Sequence, residues 1–176
     1  AKIHIYDINL DSALFYLDKN KELIQKHHSN DIALVSDNYF YRSMAYHYAD
    51  QFYIAVEEIK KGIAILENYS GNIPAELAKN YFQLSTYLNE IAAHDEALEY
   101  QKKWLEVRIK EFGPDSYIAG DSYQSIGITY SYKKEDHLAL EYYNKALQIF
   151  SNEVVIPYNR LAVVNSNLGF CYDRLN

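Results

Sequence analysis

Six histidines and one cysteine are the residues best suited to metal binding or nucleophilic chemistry in this chain, and their spacing supports neither. His27 and His28 are adjacent, so on a helix their side chains diverge instead of sharing a face. His94 and His137 stand beside Asp95 and Asp136 in segments that read as polar turns, where capping and solvation account for them. Cys171 is the single cysteine, which excludes an internal disulfide framework and a multi-cysteine zinc site. Its setting makes it a small buried hydrophobe. No HExxH, CxxC or glycine-rich phosphate loop occurs. The expectation is a chain that is not an enzyme and needs no catalytic residue, metal or cofactor. Of the histidines, only His47 is assigned to a face a partner could reach.

The elements that carry these residues announce themselves by repetition. Ala13, Ala55, Ala97 and Ala139 recur every 42 residues. Ser43, Ser85, Gly127 and Gly169 keep the same spacing, as do Tyr46, Leu88, Tyr130 and Tyr172, and the apolar set Leu23, Ile65, Val107 and Ile149. A fixed period between about 20 and 50 residues is the signature of stacked supersecondary units. The small residues are expected where one helix closes on another, with the tyrosines filling the space between those contacts. Tyr39, Tyr81 and Tyr123 also repeat, so much of the total of 19 tyrosines reads as packing.

Composition agrees. A hydrophobic fraction of 49% over 176 residues is ample for a core, and Gly 6 with Pro 3 is too few for a sandwich. A formal charge of −7 argues against non-specific nucleic-acid binding, which needs clustered Lys and Arg. It favours neutral or basic partners over acidic ones. No apolar run approaches the roughly 20 residues of a membrane span, and no signal peptide is visible. The sequence begins at Ala1 and ends at Asn176 inside a repeat. It reads as a piece of a longer protein, with a cytoplasmic location expected from its single cysteine.

Punctuation follows the same period: Ser29, Gly71 and Gly113 each precede a residue able to start a helix, such as Asp31, Pro74 or Asp115. Helical periodicity is predicted over 11–27, then in pairs over 32–67, 75–112 and 116–150, then from Val154 to Leu175. Within the pairs the turns are placed at 49–51, 93–95 and 134–136. No segment alternates as a strand would. The charge runs Glu57–Lys61 and Glu99–Lys103 read as solvated outer faces.

These columns resemble the tetratricopeptide repeat. Gly127, Tyr130, Ala139, Tyr143 and Ala146 reproduce its pattern of small, aromatic, alanine, aromatic and small residues, and Ser43, Tyr46, Ala55, Ile59 and Gly62 follow it. The usual period is roughly 34 residues. The longer period, with segments such as LEVRIKEFGPD, is similar to kinesin light chains and their bacterial relatives. The resemblance implies an all-α, right-handed α-solenoid of antiparallel helix pairs, a tetratricopeptide superhelix, as one array over 1–176. Its units would be a second helix of a truncated unit (1–30), repeats over 31–72, 73–114 and 115–153, and a first helix over 154–176. Gln101 and Trp104 depart from the pattern, standing where an aromatic and a small residue belong, and a wider angle between neighbouring units is expected there.

The resemblance also implies a concave groove lined by the first helix of each pair. Its positions here are Phe40, Met44, His47 and Tyr48, then Lys79, Phe82, Thr86, Asn89 and Glu90, then Asp121, Gln124, Ile128, Ser131 and Tyr132, and finally Ser166, Phe170, Asp173 and Arg174. Aromatic anchors interleaved with hydrogen-bonding groups suit a peptide or protein partner. A bland alternative has Phe40, Phe82 and Phe170 complete the core. Few positive residues line the groove, so neither an acidic cargo motif nor a terminal carboxylate is a good match. The expected function is a protein-interaction scaffold. The alternative is a sensory or regulatory segment of a larger signalling or transcription-regulating protein. Self-association through open array ends, exposing Leu14, Leu17, Leu168 and Tyr172, is a further expectation.

Overall fold

In the computed structural model, which describes residues 10–28, 30–153 and 158–176, every regular element is an α-helix. In chain order they are α1 (Leu10–His27), α2 (Ile32–Tyr48), α3 (Phe52–Glu67), α4 (Pro74–Glu90), α5 (His94–Phe112), α6 (Tyr117–Tyr132), α7 (Asp136–Ser151) and α8 (Tyr158–Leu175). The expected role of Ser29 and the expected helix start at Val154 lie outside the described residues. Helix starts have local causes. Asp31 caps α2 by accepting from the Leu34 N–H at 3.0 Å, and Pro74 stands in the first turn of α4. Ser116, not Asp115, caps α6 by accepting from the Ala119 N–H at 3.2 Å. Gly113 closes α5 at φ +89°, a conformation that favours glycine.

The chain divides into two compact units, Ala1–Ile91 and Ala92–Asn176. In the first, α2 packs on α3, with α1 against α2 and α4 against α3; in the second, α6 packs on α7, with α5 against α6 and α8 against α7. Close approach in the second unit depends on Gly127, where an added Cβ would stand 2.7 Å from the ring of Tyr143. That ring is fully buried among Ile126, Ala139, Ala146, Phe150, Val164 and Leu168. In the first unit an added Cβ on Gly62 would meet Ser36 and Tyr39 at 3.3 Å. Ala55, Ala97 and Ala139 have no exposed surface. Ser43 and Ser85 are buried too, and each satisfies its hydroxyl by donating to a carbonyl three residues back, Phe40 at 2.7 Å and Phe82 at 2.8 Å.

The turns inside the pairs differ from expectation by up to two residues. They span 49–51, 91–93 and 133–135, so His94 and His137 belong to helices α5 and α7 instead of turns. Each turn carries one left-handed residue that is not glycine: Asp50, Ala92 and Lys134, at φ 58°, 58° and 60°. Around Lys134 the Glu135 N–H donates to Tyr130 O at 2.9 Å and the Lys134 N–H to Ser131 O at 3.1 Å, a Schellman closure. Asp50 and Gln51 repeat it with His47 and Tyr46.

Two polar features also depart from the sequence reading. Glu58, in the run expected to be solvated, is buried and accepts from Arg42 Nε at 3.0 Å and Lys61 Nζ at 2.6 Å, while the same Arg42 also pairs with Asp18 of α1. Gln101, in place of an aromatic, is 1% exposed and donates to Ser125 Oγ at 3.0 Å, so α5 meets α6 there by a hydrogen bond instead of a ring. Trp104 beside it is buried within the second unit.

Helix α8 is fastened by Arg174. Its Nε donates to Asp136 Oδ2 at 3.1 Å, and Nη2 donates to Ser131 Oγ at 2.7 Å and pairs with Asp136 Oδ1. Hydrogen bonding from Arg174 holds the Asp136 carboxyl below the usual carboxylate range.

Four outcomes are expected. Gly127→Ala destabilises the protein by about 1–3 kcal/mol through overpacking against Tyr143, read as a lowered urea midpoint. Gly169→Ala, with nothing within 4 Å of the added carbon, gains up to about 1 kcal/mol from helix propensity. Lys134→Gly relieves a left-handed residue and stabilises by about 0.5–1 kcal/mol after the entropy of glycine is subtracted, seen as a rise in Tm. For Asp136 the lowered folded-state pKa sets the sign: its contribution is present above the ordinary Asp range and is lost as pH falls through the lowered value. Asp136→Asn should therefore lower Tm at pH 7, and the difference from wild type should shrink in strong acid.

Candidate interaction surface on alternate helices

The eighteen positions assigned to a groove lie on α2, α4, α6 and α8. In the first unit Phe40, Met44 and His47 are half-buried on α2, and Tyr48 is 56% exposed. On α4, Lys79, Thr86 and Asn89 are half-buried, Glu90 is exposed and Phe82 is 42% exposed. In the second unit Asp121, Ile128 and Ser131 are half-buried on α6, while Tyr132 is 59% exposed. Gln124 is buried and Ile128 packs against the core, so these two offer less surface than the sequence reading assumed. On α8, Ser166, Phe170, Asp173 and Arg174 are all exposed.

Most charged groups on these helices are already engaged with one another. Asp37 of α2 pairs with Lys79 of α4, whose ammonium also lies 4.5 Å over the Phe40 ring. His47 Nε2 donates to Glu90 Oε2 at 2.7 Å; a carboxylate can only accept, which fixes the proton on that nitrogen. The His47 ring is held from behind by stacking on Tyr87, centroids 4.6 Å apart, and edge-on by Phe52 and Tyr48. Tyr87 is fully buried, and burial pushes its phenol up to about 12.

In the second unit Arg160 donates from Nε to the Tyr117 hydroxyl at 3.1 Å and from Nη2 to Asp121 Oδ2 at 3.2 Å. Burial raises the Asp121 carboxyl above its ordinary value, while Arg160 and Arg108 pull it back. The Arg174 guanidinium covers the Phe170 ring at 4.4 Å as well as binding Asp136. Such surface pairs add little stability, typically about 0–1 kcal/mol each. With these charges paired, the rings of Tyr48, Phe82, Tyr132 and Phe170 remain partly exposed on the same helices. Sequence reasoning assigned Lys79, Glu90, Asp121 and Arg174 to a partner without seeing that Asp37, His47, Arg160 and Asp136 hold them. The offsets of 42, 43 and 39 residues between Asp37 and Lys79, His47 and Glu90, and Asp121 and Arg160 lie close to the repeat period, a signal the sequence contained.

No cluster of three or more His, Cys, Asp or Glu able to hold a metal ion occurs among the described residues. No helix among them is long and apolar enough to cross a membrane.

The tetratricopeptide repeat family model matches residues 76–152. No curated protein matches in sequence. Among solved structures, BtubC from P. vanneervenii is similar with a TM-score of 0.74 and 16% identity, over 96% of this chain and 67% of that one. The nearly identical TPR-like repeats of a Podosopora anserina kinesin light chain candidate align with a TM-score of 0.77 and 16% identity, covering 93% and 77% of the two chains. A signal transduction ATPase with a tetratricopeptide repeat sensor, from Pyrococcus horikoshii, aligns at 0.76 and 21% identity, over 93% of this chain but 24% of its own length. The chain likewise spans 60% of RapI. At such identities the likeness speaks for the fold. The tetratricopeptide repeat model thus matches residues 76–152, and the all-α solenoid fold of these structures extends over nearly all of the chain.

Proposed function

We propose that the exposed faces of α2 and α4 in the first unit, and of α6 and α8 in the second, bind a protein or peptide partner. One observation carries this reading: Tyr48, Phe82, Tyr132 and Phe170 stand 42–59% exposed at positions whose polar neighbours are already paired. Large aromatics in water are costly unless something covers them, and aromatic rings are the usual anchors of an interface. The exposure of Phe82 and Phe170 supports this reading over the one in which they complete the core, while Phe40 is half-buried. A net charge of −7 favours a neutral or basic partner. The role is binding without catalysis, in a reducing compartment such as the cytoplasm, in keeping with the free, buried thiol of Cys171.

A second reading, the sensory segment of a larger protein, is supported by the likeness to the tetratricopeptide sensor of the signal transduction ATPase. An effector domain encoded next to this segment would favour it; further repeats alone would favour the scaffold. Association between copies draws support from exposed Phe15, Tyr16 and Leu23 on α1 and Tyr158, Val163 and Tyr172 on α8. Leu168 takes no part in it, being buried in the second unit's core, and Leu14 and Leu17 are half-buried.

The test is affinity capture with wild-type protein and a Phe82→Ala/Tyr132→Ala variant of unchanged helical signal. A partner retained by wild type and lost by the variant supports the proposal; equal recovery from both would refute it.

A further inference from the structure

Where α2 ends and α3 begins, a hollow of about 310 Å³ opens between His47, Tyr48, Asp50, Phe52 and Glu90. We propose that it receives the guanidinium of an arginine on a partner polypeptide, a statement that rests on the binding role proposed above and names the chemistry of one part of that surface. Three of the five lining groups are aromatic rings. His47 is pinned by stacking on buried Tyr87, and the Phe52 and Tyr48 rings stand edge-on to it with centroids 5.4 and 5.8 Å away. The other two are carboxylates. Glu90 spends Oε2 on His47 and keeps its second oxygen as an acceptor, and Asp50 is exposed. Rings beside carboxylates, with no Lys or Arg among the lining residues, attract a cation through both quadrupole and charge.

The chain itself shows how such a place is filled. Two periods along, Ser131, Tyr132, Lys134, Asp136 and Arg174 occupy the register positions of His47, Tyr48, Asp50, Phe52 and Glu90. There the protein supplies its own guanidinium: Arg174 bonds Asp136 and Ser131 and lies over the Phe170 ring. In the first unit the charges are reversed. Glu90 stands in the register place of Arg174, and Asp50 in that of Lys134. Neither position carries a cation here, Phe52 takes the register place of Asp136, and the acid now comes from Glu90, bonded through one oxygen to His47, and from Asp50, beside the rings of His47, Tyr48 and Phe52. A planar guanidinium fits better than an ammonium, because it can stack on a ring while two of its N–H groups reach carboxylate oxygens. The negative net charge steers such a partner inward.

The test is an NMR titration of the ¹⁵N-labelled 176-residue chain with N-acetyl-arginine amide, and with the citrulline analogue of equal shape and no charge. Saturable shifts of the Tyr48, Asp50 and Glu90 amides are expected with arginine and not with citrulline. Binding should weaken roughly fivefold, equivalent to about 1 kcal/mol, in Tyr48→Ala and in Glu90→Gln. Asp50→Asn, which keeps a residue tolerant of the left-handed conformation, controls for folding and should also weaken binding. Equal shifts with citrulline, unchanged affinity in all three variants, or no saturation would overturn the proposal. If arginine fails here while Phe82→Ala/Tyr132→Ala still loses the captured partner, the arginine site alone is wrong. If arginine binds while that variant keeps its partner, the wider surface is wrong and the hollow stands.

Discussion

Everything in this fold depends on how closely two helices of a pair can approach. In the second unit the backbone at Gly127 lies against the Tyr143 ring with no room for one further carbon, and in the first unit Gly62 lies against Ser36 and Tyr39. Alanines with no exposed surface line the second helices at the same period. Because interiors are packed to near-crystalline density, a contact this tight dictates which side of each helix faces its partner. Once that side is committed, the opposite side of α2, α4, α6 and α8 is what remains to show to the outside.

On that remaining side the chain neutralises most of its own charge. Asp37 with Lys79, His47 with Glu90, and Asp121 with Arg160 tie neighbouring alternate helices together within each unit. These links are weak as sources of stability but decisive for recognition. A partner meeting paired ions gains little from them, because it must break one attraction to make another. Exposed rings carry no such cost. The proposed binding surface therefore rests on the exposed rings of Tyr48, Phe82, Tyr132 and Phe170.

Much of the fold was legible beforehand. The boundaries of α2 and α3 follow from hydrophobic periodicity, the Asp31 cap and the polar break at 49–51. None of the three turns carries the glycine that normally marks such a closure. The first is marked by the polar pair Asp50 and Gln51, whereas the later two, with Ala92 and Lys134 at their left-handed positions, lie one or two residues from where the polar residues place them. Glu58 was read as solvated because a charge run on a helix usually is; its burial follows from Arg42, sixteen positions away in sequence and 3.0 Å away in space. The candidate surface was legible as a set of positions, since register alone separates packing columns from the rest. Which of those positions are free was not legible, as buried Gln124 and core-packed Ile128 show.

The sequence by itself determined the periodic helix pairs, the small residues at their contacts and the acidic balance, because period, side-chain volume and formal charge are properties of residue order alone. Only the tertiary structure decided which charges cancel, which rings stay in water and where a hollow opens between His47, Tyr48, Asp50, Phe52 and Glu90. Those outcomes hinge on distances of 3 to 6 Å between residues some 40 positions apart, such as His47 and Glu90, and such distances exist only after the helices have docked.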